Sequence, residues 1–539
     1  MTDSPSKNRL SVAVIVRDAA EPLRLTLSSM RHVAFEIVVV DTGSTDKTRD
    51  VAREFGARVV EFPWGDDFSA ARNFAHAQVT GDWVLWLDAG ETMNDADTKA
   101  LREFVTTSAD RQCGYMMLVR VPPVDPQATI EQIGRVRLVP HQPTLTFRGR
   151  VRESCTDAFV ELGMRVAPVP FVIERGDREH DRRLKKMRAN RNIRLAEREQ
   201  CEQGFSARLW NCLGDGLQTL GDNRRAAECF QQALAIATLG SPDQLEAYYG
   251  LLTSSAPPAG VPVLTDARID PNPSDRTVNV ADSIPATEKY RDTQLTLCTQ
   301  ALEAFPLDAQ LLCALAGYLH TRGHSQLAMQ AYRMAYQFGQ VEPTVWHIAE
   351  IRDVAAICYC VSLQLQNRGD DAIRFLEESL AENGESIKQR RHLIEAYVNG
   401  GQRDAALAHV SALPKRFPHA EAFRSAVRGA CYAVQKNWLA AKAYLQTAYG
   451  HGCRDPLCFK WLATCLLASG EAEAARAIVE QWLSVEPRNP EPAQVLKNLT
   501  VKDPAPADRQ IRVDRPAASL SGQSIALNFG PASRTASGG

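Results

Sequence analysis

No stretch of the 539 residues approaches the roughly 18 or more consecutive apolar residues that a membrane-spanning helix needs. The start, MTDSPSKNRL, is polar and leads into an apolar run too short for the core of a signal peptide. The 13 cysteines are scattered and form no C-x-x-C pair, and Cys358 and Cys360 are too close together for zinc-ribbon spacing. They read as small core hydrophobes in a reducing compartment, which predicts a cytoplasmic chain. Neither sign of charge is in excess: 62 Lys and Arg face 64 Asp and Glu, and a net charge of −2 argues against nucleic acid as a partner.

What is present is ordinary globular material, 45% hydrophobic and 23% charged. The length predicts about two to four domains. Over the first hundred residues, short apolar runs alternate with amphipathic stretches, the pattern of strands and crossover helices in a parallel sheet. Residues 10–16, 36–41 (EIVVVD), 58–62 (RVVEF) and 82–88 (DWVLWLD) read as strands, the last central because it is apolar on both faces. Residues 21–30 and 46–55 read as helices, the second closed by Gly56. Further strands are predicted at 115–121 and 135–139, and a basic helix from 183 to about 200.

Beyond residue 205 the pattern turns to helix pairs. Six segments share a small or polar turn, an Ala about five positions on and a large residue late in the helix. The turn positions are Gly221, Gly323, Gly369, Gly401, Lys436 and Gly470, and the last three are 35 and 34 residues apart. That period is the mark of tetratricopeptide repeats. The third copy reads as irregular, because Ala372 follows Gly369 by only three positions. The predicted layout is a disordered 1–8, an α/β domain at 9–200, first repeat helices at 205–252, a flexible Pro, Asp and Ser-rich insertion at 253–287, repeats at 288–499 and a disordered tail at 500–539.

In an open parallel sheet, ligands bind beyond the carboxyl ends of the strands. Two predicted strands end there in carboxylates, Asp41 before TGSTD and Asp88 before AGE. Such a group can take hydrogen bonds from a nucleobase or ribose, or ligate a divalent cation on a diphosphate; the alternative is that it caps the next helix, the reading favoured for Asp46. Asp66 and Asp67 read as loop and cap residues.

The runs EIVVVDTGSTDKT, EFPWGDDFSAARN and TGDWVLWLDAGE, in that order, resemble the N-terminal half of family 2 glycosyltransferases, especially the branch with lipopolysaccharide-core and peptide S-glycosyltransferases. Several members of that branch carry C-terminal tetratricopeptide repeats. The resemblance spans roughly residues 9–200 and implies a GT-A fold, Rossmann-like with a mostly parallel sheet, followed by an all-α tetratricopeptide-like solenoid. It implies Asp41 beside the nucleoside, Arg72 and Asn73 at the base and diphosphate, and Asp88 as first carboxylate of the D-x-D motif, with Mg²⁺ or Mn²⁺ as cofactor. For Arg72 the alternative is a surface ion pair.

Two positions depart from the family. Gly90 stands where the branch has the second Asp, so Asp88, with Glu91 as a substitute, would hold a weakly bound cation, and Gly90→Asp would be expected to tighten metal and donor binding. In FRGRVRESC, Arg152 and Glu153 occupy the family's His-Glu pair. Glu153 is the candidate general base or a strand-surface glutamate; Arg152 would face a leaving diphosphate or solvent. The basic run RRLKKMRANRNIRLAERE would be a solvated face or a guide for anions.

These features imply an inverting transferase that moves a sugar from a nucleotide-diphosphate donor to a glycan, lipid-linked or peptide acceptor, with repeats that recruit the acceptor or a protein partner, peripheral to the inner face of the membrane. The alternative is a catalytically weakened scaffold whose repeats bind proteins.

Overall fold

The runs that are apolar on both faces become the centre of a sheet. In the computed structural model, which describes residues 8–122, 129–254, 283–384, 386–413, 417, 419–485 and 490–500, β1 (Leu10–Val16), β2 (Glu36–Asp41), β3 (Arg58–Glu61) and β4 (Trp83–Asp88) form its parallel half, in the order β3-β2-β1-β4. Val12, Val14, Leu85 and Leu87 enter the core on one face. Ala13, Ile15, Val84 and Trp86 enter the core on the other, as the two-residue side-chain period requires. Helix α1 (Ala20–Met30) supplies Leu23 and Leu27 to the first face, and α2 (Thr48–Glu54) adds Ala52. Helix α3 (Phe68–Gln78) supplies Ala71 and Ala75 to the second.

The short strand β5 (Glu91–Thr92) and helix α4 (Asp95–Thr107) follow β4. Then β6 (Cys113–Val121), β7 (Glu131–Pro140) and, after α5 (Thr156–Glu161), β8 (Arg165–Arg175) extend the sheet in the order β4-β7-β6-β8-β5. The β4–β7, β6–β7 and β5–β8 pairings are antiparallel.

Helix α6 (Arg182–Gln203) follows, and the helix pairs begin with α7 (Ala207–Leu220), α8 (Asn223–Ile236) and α9 (Pro242–Ser254). The second group is α10 (Ser283–Ala304), α11 (Ala309–Thr321) and α12 (Ser325–Phe338). After strand β9 (His347–Ile348) come α13 (Ile351–Leu365), α14 (Gly369–Asn383), α15 (Ile387–Asn399), α16 (Arg403–Ser411), α17 (Ala420–Val434), α18 (Trp438–Gly450), α19 (Pro456–Ala468), α20 (Ala472–Val485) and α21 (Pro490–Thr500). The stretches expected to be disordered or flexible fall largely on residues 1–7, 255–282 and 501–539, which lie outside the described residues.

The third repeat is regular after all. Its left-handed turn residue is Asn367 (φ +60°), five positions before Ala372, while Gly369 already starts α14. The equivalent Ala226, Ala328, Ala372, Ala406, Ala441 and Ala475 are all fully buried, so the small residue stands where two helices meet. The sheet and the first helix pair share a core: Phe68 and Val151 pack with Leu195 of α6, Leu209 of α7 and Phe230 of α8.

Candidate active site

The carboxyl ends of β2 and β4 place Asp41 and Asp88 along one edge of the sheet, one strand apart across β1. Asp41 is 1% exposed. Its Oδ1 accepts the backbone N–H groups of Gly43 (2.8 Å) and Ser44 (2.7 Å) in a turn that needs Gly43 at φ +101°. Its Oδ2 is buried without a hydrogen-bond partner, with Arg49 Nε 3.8 Å from it.

Asp88 is held by two arginines. Arg72, on the first turns of α3, approaches Oδ1 at 3.3 Å, and Arg137 of β7 donates to Oδ2 at 3.0 Å. Burial acts to raise the Asp88 carboxyl, but Arg137 and Arg72 outweigh it and hold it well below the usual carboxylate range. Arg72 also donates to Glu153 Oε1 at 2.6 Å and lies over the Trp86 ring, 5.1 Å from its centroid. It is thus a buried bridge between Asp88 and Glu153 and no surface ion pair. The Glu153 side chain is 2% exposed, so it is not a strand-surface glutamate, and its Oε2 is buried without a hydrogen-bond partner.

Asn73 is committed elsewhere. Its amide donates to the Phe147 carbonyl (2.9 Å) and accepts the Phe147 N–H (2.7 Å), which ties α3 to the 147–153 loop. Arg152 likewise turns inward from solvent. It sits at φ +52° and reaches the first helices of the array, where it pairs with Asp215 of α7 and with Glu246 of α9 (2.9 Å). As expected, Asp67 caps α3 through the Ala70 N–H; Asp46 stands one residue before the N-cap Lys47 of α2 and accepts the N–H groups of Thr48 and Ala20.

The residues present do not fit a divalent cation. Both Asp88 oxygens take arginine N–H groups, and Glu91 is 2% exposed with Oε1 2.7 Å from Arg137 and Oε2 accepting the Asp88 N–H at 2.9 Å. Burial pushes the Glu91 carboxyl above its usual range. It braces the turn and is not a free ligand. Gly90 lies at φ +100°, where an added Cβ would be 3.4 Å from Pro22, so an Asp there is strained by its backbone, which works against any gain from Gly90→Asp. Among the described residues no group of three His, Cys, Asp or Glu is placed to hold a metal.

Residue-level reading of the sequence passed over Arg137 and Arg175. Arg175 of β8 stands 3.5 Å from Glu91 and 3.4 Å from Glu179, and Glu179 also pairs with Arg188 at 2.6 Å. The available signal was the run IGRVRLV, in which arginines interrupt an otherwise apolar strand. Arg191 of α6 lies over Phe68, 4.8 Å from the ring centroid, where burial lowers it to about 10 against the pull of Glu153 and Asp88. At least this part of the basic helix therefore turns toward the site.

Residues 11–115 match the model of glycosyl transferase family 2, and residues 363–428 match a tetratricopeptide repeat model. A tetratricopeptide repeat-containing protein of Synechococcus elongatus is 30% identical over 241 residues, 42% of this chain and 56% of that protein. An uncharacterized glycosyltransferase of Rickettsia bellii is 31% identical over 114 residues, 20% of this chain and 37% of that protein. The chain thus spans from about a third to about half of the length of these relatives. Among solved structures, glucosyl-3-phosphoglycerate synthase from Mycobacterium tuberculosis, in complex with Mn²⁺, UDP and glucosyl-3-phosphoglycerate, is 22% identical with a TM-score of 0.18, covering 21% of this chain and 43% of that one. The glycosyl transferase family 2 match thus lies on the sheet and the tetratricopeptide repeat match on the helices, in the order that the sequence motifs predict.

Proposed function

We propose that the chain transfers a sugar, with inversion, from a nucleotide-diphosphate donor bound at the edge marked by Asp41 and Asp88, to an acceptor recruited by the repeats. The observation that carries this reading is a pair of buried carboxylate oxygens at that edge that accept no hydrogen bond, Asp41 Oδ2 and Glu153 Oε2. A buried acceptor without a donor costs about 1–3 kcal/mol, and a ligand that brings a donor relieves it.

In this reading Asp41 Oδ2 takes an N–H or O–H of the nucleoside. Arg72 and Arg137 put positive charge where a diphosphate leaves, a task suited to planar, permanently charged guanidinium groups. Arg191 adds a third cation. Glu153 Oε2 takes the proton of the acceptor hydroxyl or thiol as its oxygen or sulfur forms the new bond to the anomeric carbon and the bond from that carbon to the diphosphate breaks. Arg72 orients that base by holding its other oxygen. No step runs through a metal ion.

A second reading, a scaffold without turnover, draws on the same ion pairs, because Asp88 and one Glu153 oxygen are already satisfied inside the protein. Thermal melting of the full chain with UDP, GDP and dTDP, each with Mn²⁺ or with EDTA, tests binding, since a ligand of the native state raises the melting temperature. The proposal expects one nucleotide to stabilise the protein in both conditions. No shift with any nucleotide would remove the donor site. The anomeric configuration of a transferred sugar, read by NMR, then decides inversion.

A further inference from the structure

We infer that the repeat array supplies part of the site itself: Trp346, on the loop between α12 and α13, is a positioning residue that fixes Arg175 and, through it, the Glu91–Asp88 turn. The link to donor binding rests on the reading of Asp88 given above; the link to the turn does not.

The sheet leaves room for this loop. Strand β4 pairs with residues 138–140 of β7 and leaves at Asp88, so the 131–134 end of β7 has one side open. Strand β9 takes that side, with Gln132 opposite His347 and Glu131 opposite Ile348. It therefore runs on along the edge that β4 vacates, beside the carboxyl end where Asp88 stands. The Gly134 N–H donates to the Pro343 carbonyl at 2.5 Å, and the Ala349 N–H to the Ile130 carbonyl at 2.8 Å. Glycine at position 134 favours that approach, because a Cβ there would come within 2.6 Å of Met116 Sδ and 3.0 Å of the Pro343 oxygen. The sheet thus recruits a strand from a segment some two hundred residues downstream.

Trp346 is 8% exposed and packs within the core that holds Ile133 and Ile173, away from the helix cores. The guanidinium of Arg175 lies 5.6 Å from its ring centroid. Arg175 is a buried cation whose contacts to Glu91 (3.5 Å) and Glu179 (3.4 Å) are long for charge-assisted hydrogen bonds, so the ring face contributes to its placement. Glu91 in turn accepts the N–H of Asp88 and shares Arg137 with it. Three successive contacts, ring to guanidinium to carboxylate to backbone N–H, lead from the repeats to the residue at the centre of the site.

The test uses the full chain. Trp346→Leu keeps an apolar plug and removes the ring, while Trp346→Phe keeps a ring face. Gln132→Leu is the control, since it cuts the contact to His347 on the same strand pair. Amide exchange of peptides covering 83–93 is measured by mass spectrometry, and UDP binding by calorimetry. The expected result is exchange about three- to tenfold faster and UDP binding weaker by a similar factor in Trp346→Leu, with both restored in Trp346→Phe and unchanged in Gln132→Leu. Unchanged exchange over 83–93 in Trp346→Leu, or an equal rise in Gln132→Leu, would overturn the inference. Should Trp346→Leu not fold, Arg175→Lys, which keeps the charge but loses the planar stack, must reproduce the faster exchange. If wild type binds no UDP, the donor reading loses support, and the exchange data still decide the role of Trp346.

Discussion

Gly90 and Asp308 show how far a single residue's setting can depart from its type. At φ +100° with Pro22 beside it, Gly90 occupies backbone space that L side chains rarely adopt. Gly90→Asp is expected to destabilise the protein by about 1–3 kcal/mol, read as a lower melting temperature, without creating metal-dependent nucleotide binding. Asp308 caps α11 through the Leu311 N–H and takes the Tyr249 hydroxyl at 2.8 Å. Burial pushes its carboxyl up to about 6. A carboxyl whose folded pKa is raised above its unfolded value favours the native state when protonated. That contribution is complete below about pH 4 and is lost as pH rises through about 6. Melting temperatures of wild type should therefore fall between those limits relative to Asp308→Asn, by at most about 3 kcal/mol in stability terms. Parallel profiles for the two proteins would show that Asp308 is ionised throughout.

Between elements, the decisive contacts join the 147–153 loop to its neighbours. Arg152 carries its charge to α7 and α9, and removing it takes one buried cation from both Asp215 and Glu246. Arg152→Met should cost about 3–5 kcal/mol in denaturant unfolding, with Arg152→Lys recovering part of the loss. These links also mark where reading from sequence stops. Strands β1, β2 and β4 were legible because burial on both faces makes continuous apolar runs, and the carboxylates at their ends follow from the sheet rule. The spacing of five from turn to Ala was legible too, except where Asn367 does the work of a glycine. Arg137 was not, because its partnership with Asp88 depends on an antiparallel pairing between segments about fifty residues apart. Nor was Trp346, since the two-residue strand that it precedes has no local pattern and the sheet it joins lies across both the first and the second group of helices.

At the scale of the molecule, the sheet and the helices are not beads on a string. The core around Phe68 and Val151 runs into α7 and α8, and β9 completes an edge of the sheet. The later repeats, by contrast, share one core that runs from Met329 of α12 and Cys360 of α13 to Trp482. A fragment of residues 351–500 should therefore be helical by circular dichroism and melt cooperatively, whereas residues 8–203 alone should expose the faces that α7 and β9 cover and melt without a sharp transition. The account as a whole turns on whether the Asp88 edge handles a nucleotide sugar. The direct measurement is release of nucleoside diphosphate from a panel of UDP-, GDP- and dTDP-sugars by the full chain, beside Asp88→Asn, Glu153→Gln and the turn variant Asp46→Asn. The account predicts release from at least one donor, reduced about a hundredfold or more in Asp88→Asn and Glu153→Gln and little changed in Asp46→Asn. Equal release from all four proteins, or none from any donor, would contradict it.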